Sequence, residues 1–215
     1  MKISSFFKRC LSAPYTHVEN GGDFFLAREG GILTVYLQHS QGAEDWKNNL
    51  DFPARGYARA CGSPLLAHRG FLRVWESVAP HLTGALTDAA TCRIRIVGYS
   101  HGAALALFCY DLALCLRPTL ADGVTALAFG APRVLWGVRT GTLRARFSRF
   151  FRIANEDDLV TRLPPAALGY FHVGTSVPLA KRGTYSLTDA HRPENILTEL
   201  RRMESQKSLD LDKIL

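Results

Sequence analysis

The stretch Cys92-Arg93-Ile94-Arg95-Ile96-Val97-Gly98-Tyr99-Ser100-His101-Gly102 decides how this chain is read. Its first half alternates and then turns apolar, as a buried strand does. Gly98 to Gly102 make a sharp corner, and residues 103–116 are small and apolar at helical length, ended before Pro118. The corner fits G-x-S-x-G, a pattern that gains chemical meaning only between a strand and a helix. A serine on such a turn needs strained dihedrals. Glycines two residues either side remove side chains that would collide with the neighbouring strand and helix. The helix leaving the corner aims N–H groups and its positive end at charge developing on a bound carbonyl. The bland alternative is a strand-to-helix turn that merely holds a serine.

Outward from this corner, strand and helix alternate. Strands are expected at 23–27 and 31–38, joined by Glu29-Gly30-Gly31, then at 123–130, 150–154 and 170–177. Helices are expected at 43–50, 71–86, 135–146 and 191–203, with Pro80 predicting a break or kink in the second. Residues 53–64 read as an irregular Pro/Gly-rich connection. The alternation predicts one α/β domain over 1–215, with a mainly parallel central sheet and helices on both faces. Residues 1–20 and the charged tail 204–215 are expected to be peripheral, with a docked N-terminus preferred to a short amphipathic helix at a lipid interface.

Composition excludes other classes. With 47% hydrophobic residues the chain is not disordered. Its longest apolar runs, such as 30–37 and 124–131, fall far short of the ~20 residues of a membrane span. The first residues lack the apolar region of a secretory signal, since Lys8 and Arg9 interrupt it. Five cysteines with no C-x-x-C spacing argue against a disulfide framework and mildly favour a reducing compartment. A cytoplasmic or peripheral-membrane location is the expectation. The net charge is +7, and 20 of the 26 basic residues are arginine. No stacking pattern or groove-reading helix accompanies that charge, so nucleic acid is disfavoured. Arg133, Arg139, Arg144, Arg146, Arg149 and Arg152, with Phe6-Phe7-Lys8-Arg9, could meet an anionic membrane surface. A solvated face is the plainer reading.

Beyond the corner, the sequence resembles the class 3 lipase family over about residues 31–200. The resemblance rests on Gly98-Tyr99-Ser100-His101-Gly102-Ala103-Ala104-Leu105-Ala106, the complete Phe129-Gly130-Ala131-Pro132-Arg133-Val134, and the segment Asn155 to Pro165. His68-Arg69-Gly70-Phe71 and Tyr170-Phe171-His172-Val173-Gly174 add to it. Alanine stands at the second adjacent glycine, and Thr161 at a proline. The resemblance implies an α/β-hydrolase fold and a serine hydrolase, lipase- or phospholipase-like, acting on carboxylic esters of lipids through an acyl-enzyme. It implies no cofactor and no metal.

In that fold the acid and the histidine follow the serine along the chain. Glu156, Asp157 and Asp158 cluster after the strand ending near Ala154, and the resemblance selects Asp158. Glu156 and Asp157 read more simply as loop or turn-forming acids. Only His172 and His191 follow. His172 lies in an apolar strand pattern and reads as structural, whereas His191 stands in a polar loop before a helix. His191 is the preferred base, and Asp158 would fix its tautomer and stabilise the imidazolium.

For the oxyanion hole, His101 would supply one backbone N–H. The resemblance places Ser40 as the second donor, although Gln38 and His39 replace the family's arginine and glycine there. It also makes residues 41–50 a short lid, with Trp46 and Leu50 one helical turn apart. Two further function classes remain open: an acyltransferase with the same three residues, and a non-catalytic lipid-surface module. Oligomeric state is not legible.

Overall fold

The structure is a computed structural model describing residues 2–18, 22–38 and 51–208. Among these residues ten strands run β1 Phe24–Glu29, β2 Ile32–Leu37, β3 Ala54–Tyr57, β4 Leu65–His68, β5 Arg93–Tyr99, β6 Val124–Phe129, β7 Leu135–Trp136, β8 Phe150–Ala154, β9 Tyr170–Phe171 and β10 Thr175–Pro178. Five α-helices accompany them among the described residues: α1 Ile3–Ser12, α2 Arg69–Thr87, α3 His101–Leu116, α4 Gly141–Arg146 and α5 Pro193–Ser205. The main sheet has the order β1-β2-β5-β6-β8-β10. Only the β1–β2 hairpin is antiparallel; the other four pairings are parallel.

Side-chain parity along the strands assigns the two faces. Ile94, Ile96, Val124, Ala126, Ala128 and Phe150 point to α2 and α3. Val97, Tyr99, Leu127, Phe129, Phe151 and Ile153 point to α1 and α5. This is the expected α/β-hydrolase-type arrangement, parallel in the main with helices on both faces. Helix α3 is buried almost all round, so its residues are small or apolar on every side.

Several expectations are corrected. Residues 53–64 are not wholly irregular. β3 and β4 start a second, antiparallel sheet of order β3-β4-β7-β9, completed by two-residue strands. The run 170–177 is two strands in different sheets, separated at Gly174, whose φ of +81° turns the chain. Pro80 does not interrupt α2, which is helical throughout its length.

The N-terminal stretch is a docked terminus, as preferred: Ile3, Phe6, Phe7 and Cys10 of α1 are buried against the sheet. Its phenylalanines therefore face the core rather than a lipid surface. Nor do the six arginines form one exposed face. Arg146 pairs with buried Asp111, Arg149 bonds the Thr125 hydroxyl, and Arg133 and Arg152 donate to backbone carbonyls. The helix expected at 43–50 lies outside the described residues.

Against expectation, Cys61 and Cys115 form a disulfide that ties the loop after β3 to the end of α3. It closes a loop across a sequence separation of 54 residues. Cross-linking so long a loop restricts the unfolded chain, so reduction, or Cys61→Ser with Cys115→Ser, should lower unfolding stability by roughly 2–5 kcal/mol in urea titrations.

Candidate active site

Ser100 sits between the end of β5 and the start of α3 with φ 56° and ψ −117°. Few non-glycine residues adopt a positive φ, and holding one there costs ~1–3 kcal/mol that the surroundings must offset. A Cβ on Gly98 would collide with the Gly102 carbonyl, and one on Gly102 with the Leu37 carbonyl. The two glycines thus let α3 lie directly on β5 and β2, and the turn between them carries the serine. The serine N–H bonds the Phe129 carbonyl at 2.9 Å, which fixes the turn to β6.

Three side chains from distant parts of the sequence meet there. His191 Nε2 lies 2.9 Å from Ser100 Oγ, and His191 Nδ1 lies 2.8 Å from Asp158 Oδ2. Asp158 is fully buried, and its Oδ1 accepts the Val160 N–H at 2.9 Å. With one carboxylate oxygen held by backbone and the other by imidazole, the ring is oriented with Nε2 toward serine. The structure therefore brings Ser100, Asp158 and His191 into one hydrogen-bonded line. His101 opens α3, is buried, and sets its ring edge-on to Phe71. Ser40 and the 41–50 segment lie outside the described residues.

The neighbouring acids do other work. Asp157 Oδ2 accepts the Gly183 N–H at 2.6 Å, and Glu156 Oε2 the Arg182 N–H at 3.1 Å. Both hold the loop after β10. No group of three His, Cys, Asp or Glu side chains among the described residues could hold a metal.

The sequence profile of the lipases described as Lipase (class 3) matches residues 34–168. The chain belongs to the class 3 lipase family. A secreted mono- and diacylglycerol lipase of Fusarium solani is 29% identical over 148 residues, which cover 65% of this chain and 41% of that one. A lipase of Rhizomucor miehei is 28% identical over 156 residues, covering 69% and 42%. The chain thus spans about two fifths of the length of these curated relatives. The solved structure of Rhizomucor miehei triacylglyceride lipase superposes with a TM-score of 0.63 at 22% identity, covering 78% of this chain and 66% of that one. The likeness shows an α/β-hydrolase fold of the fungal lipase type.

These class 3 relatives also correct the expected cytoplasmic or peripheral-membrane location, because the Fusarium solani protein is a secreted lipase. The Cys61–Cys115 disulfide fits an oxidising compartment in the same direction. None of the described helices is long and apolar enough to cross a membrane.

Three residues around the family's serine corner have roles that sequence reasoning did not assign. Tyr99 stacks its ring on His191 at 5.0 Å and donates its hydroxyl to the His191 carbonyl at 2.6 Å. Burial and then the nearby Asp158 charge push the Tyr99 phenol up, so it stays a donor. Asn155 donates through Nδ2 to the Ala190 carbonyl at 2.8 Å and accepts the Ala180 N–H at 3.2 Å. Gly130, with φ +56°, leaves room for the histidine, since a Cβ there would stand 2.7 Å from His191 Cε1. Gly130 lies inside the quoted Phe129 to Val134 motif and Asn155 inside the next, so their positions were visible but their tasks were not.

His172 stands apart from this line, with Nε2 at 2.8 Å from the Thr161 carbonyl. Burial first, then the Arg152 charge, lower its pKa from 6.5 to about 3, so it is neutral when folded. Its contribution to stability is present above pH 6.5 and lost as pH falls toward the folded value. Between pH 6 and 4, His172→Gln should reduce the proton uptake on unfolding by about one, flattening stability against pH by ~1.4 kcal/mol per unit. Denaturant titrations across that range measure it.

Proposed function

We propose that this chain hydrolyses carboxylic esters of acylglycerols, with Ser100 as nucleophile, His191 as general base and acid, and Asp158 as the buried orienting carboxylate. The hydrogen-bonded line from Ser100 Oγ through the His191 ring to Asp158 carries the reading. The Ser100 oxygen attacks the ester carbonyl while His191 Nε2 takes its proton, giving a tetrahedral oxyanion and an imidazolium facing Asp158. His191 returns the proton to the leaving alcohol as the carbonyl reforms, which leaves an acyl-serine. Water then attacks the acyl-serine by the same proton route and releases the fatty acid.

The developing oxyanion is assigned to the positive end of α3 and the His101 N–H, with Ser40 as the proposed second donor. Relatives named as mono- and diacylglycerol lipases and as lipase support the acylglycerol substrate class. Nothing specific in the site favours acyl transfer to another alcohol or a phospholipid ester over this reading.

Ser100→Ala should abolish both fluorophosphonate labelling and hydrolysis of a diacylglycerol, with turnover down ~10⁶-fold. Unchanged circular dichroism would show that the loss is chemical, and labelling that moves to another serine would refute the assignment. Gly130→Ala gives a second, milder test. Its Cβ would press on the His191 ring and on Asp158 at 3.0 Å, against an unfavourable φ. Misplacing the base by a fraction of an ångström should lower kcat about 10²-fold, with KM little changed. Steady-state kinetics on one short-chain ester would read both constants.

A further inference from the structure

Where β8 and β10 form the edge of the main sheet, a cavity of about 320 Å³ opens beside the loop that carries Asp158. Arg152 and Ser176 are register partners across these strands, so their side chains stand on one face and line the cavity. Arg182 lines it as well. Arg152 is partly buried, and its only hydrogen bond among the described residues runs from Nε to the Val173 carbonyl at 2.9 Å. Neither Arg152 nor Arg182 has a carboxylate partner in an ion pair among the described residues. Burial, and then the charges of Arg139 and Arg133, hold the Arg152 guanidinium down at about 10. Glu156 is the one acid in this lining, and it makes no ion pair with either arginine among the described residues.

The remaining polar lining narrows what could bind. Asn155 and Thr161 have donors committed to the Ala190 and Asp158 carbonyls. Glu156 is exposed, and its carboxylate is held by the Arg182 N–H. The lining donors that make no hydrogen bond among the described residues are therefore the terminal nitrogens of Arg152, the Arg182 guanidinium and the Ser176 hydroxyl. A guanidinium fork matches the oxygens of phosphate or carboxylate in pairs. Two forks, with further arginines behind them and one carboxylate at the rim, favour the more highly charged of the two. The volume is at the small end of ligand sites, enough for phosphate with a short polar substituent.

We propose that this cavity binds a phosphate group, gripped by Arg152 and Arg182 with the Ser176 hydroxyl as third donor. The phosphate comes either from free inorganic phosphate or from a glycerophosphate headgroup. The site does not use Ser100, so it stands or falls separately from the hydrolytic reading.

Isothermal titration of the full chain with inorganic phosphate, glycerol 3-phosphate and acetate, at matched ionic strength, tests the proposal. Saturable binding of both phosphates and none of acetate is expected. Glycerol 3-phosphate binding about tenfold tighter than phosphate points to a headgroup, and the reverse order to the free ion. Arg152→Gln and Arg182→Gln should each weaken phosphate binding at least tenfold, and Arg152→Lys should recover part of it. Arg182 is exposed, so its variant keeps the test valid if the Arg152 variants fail to fold. Ser100→Ala should bind phosphate as the parent does. Absence of saturable phosphate binding, acetate binding as tight as phosphate, or unchanged affinity in Arg182→Gln would overturn it.

Discussion

The close approach of α3 to the sheet is the constraint on which the site depends. A helix axis normally stands about 10 Å from the strands it covers, a distance set by side chains on both surfaces. Here Gly98 and Gly102 remove those side chains where β5 hands over to α3, and Ala126 and Ala128 keep β6 low on the same face. The chain can then turn within one residue. That residue is Ser100, and the turn forces its φ positive. A strained serine is stable only because the elements on either side are among the most deeply buried in the molecule. The strain therefore follows from the core and cannot relax without disturbing it.

The same turn also fixes the histidine. Tyr99, the residue before the serine, points to the opposite face of the sheet because side chains alternate along a strand. There it stacks on the His191 ring and bonds the His191 carbonyl. One strand-to-helix corner thus presents the serine and clamps its partner. Asn155 performs the matching task from β8, joining the Asp158 loop to the segments before α5 and after β10 through Ala190 and Ala180. The line of three side chains spans 91 residues of sequence between serine and histidine, yet short, local contacts set its geometry.

Elements with a strong period were legible. β2, β5, β6 and β8 are long enough for alternation or apolar runs to show, and the corner at Ser100 has a sequence grammar of its own. Ser100, Asp158 and His191 followed from chain order and resemblance. The second sheet was not legible, because β7 and β9 have two residues each and carry no period. The docked α1 was legible in part, since exposed Lys8 and Arg9 stand between buried Phe7 and Cys10 as on an amphipathic helix. The disulfide was hidden for another reason. Cys115 lies in an apolar helical run that suits a free thiol, and Cys61, its partner, is brought near only by the tertiary fold. Pro80 misled because the backbone hydrogen bond it removes is offset by the packing of Leu72, Trp75, Val78 and Leu82 into the core, which holds α2.

The arginine excess has a structural explanation that bulk charge does not convey. Arg59 and Arg146 converge on Asp111, which is 1% exposed and also accepts the Tyr57 hydroxyl. Removing either partner of such a buried group would strand charge, so those arginines are bound to their places. Arg117 donates to the carbonyls of Asp88 and Thr91, and Arg133 to those of Arg162 and Pro164. Guanidinium suits this work because its five donors can close off loop carbonyls that no N–H reaches. Part of the net charge of +7 is therefore spent inside the fold, tying loops to the sheet. A uniform basic surface would have predicted attraction to any polyanion. The actual distribution commits many guanidiniums to particular acids and carbonyls, and it sets Arg152 and Arg182 beside one cavity at the β8–β10 edge without an ion pair among the described residues, a placement that composition alone could not reveal.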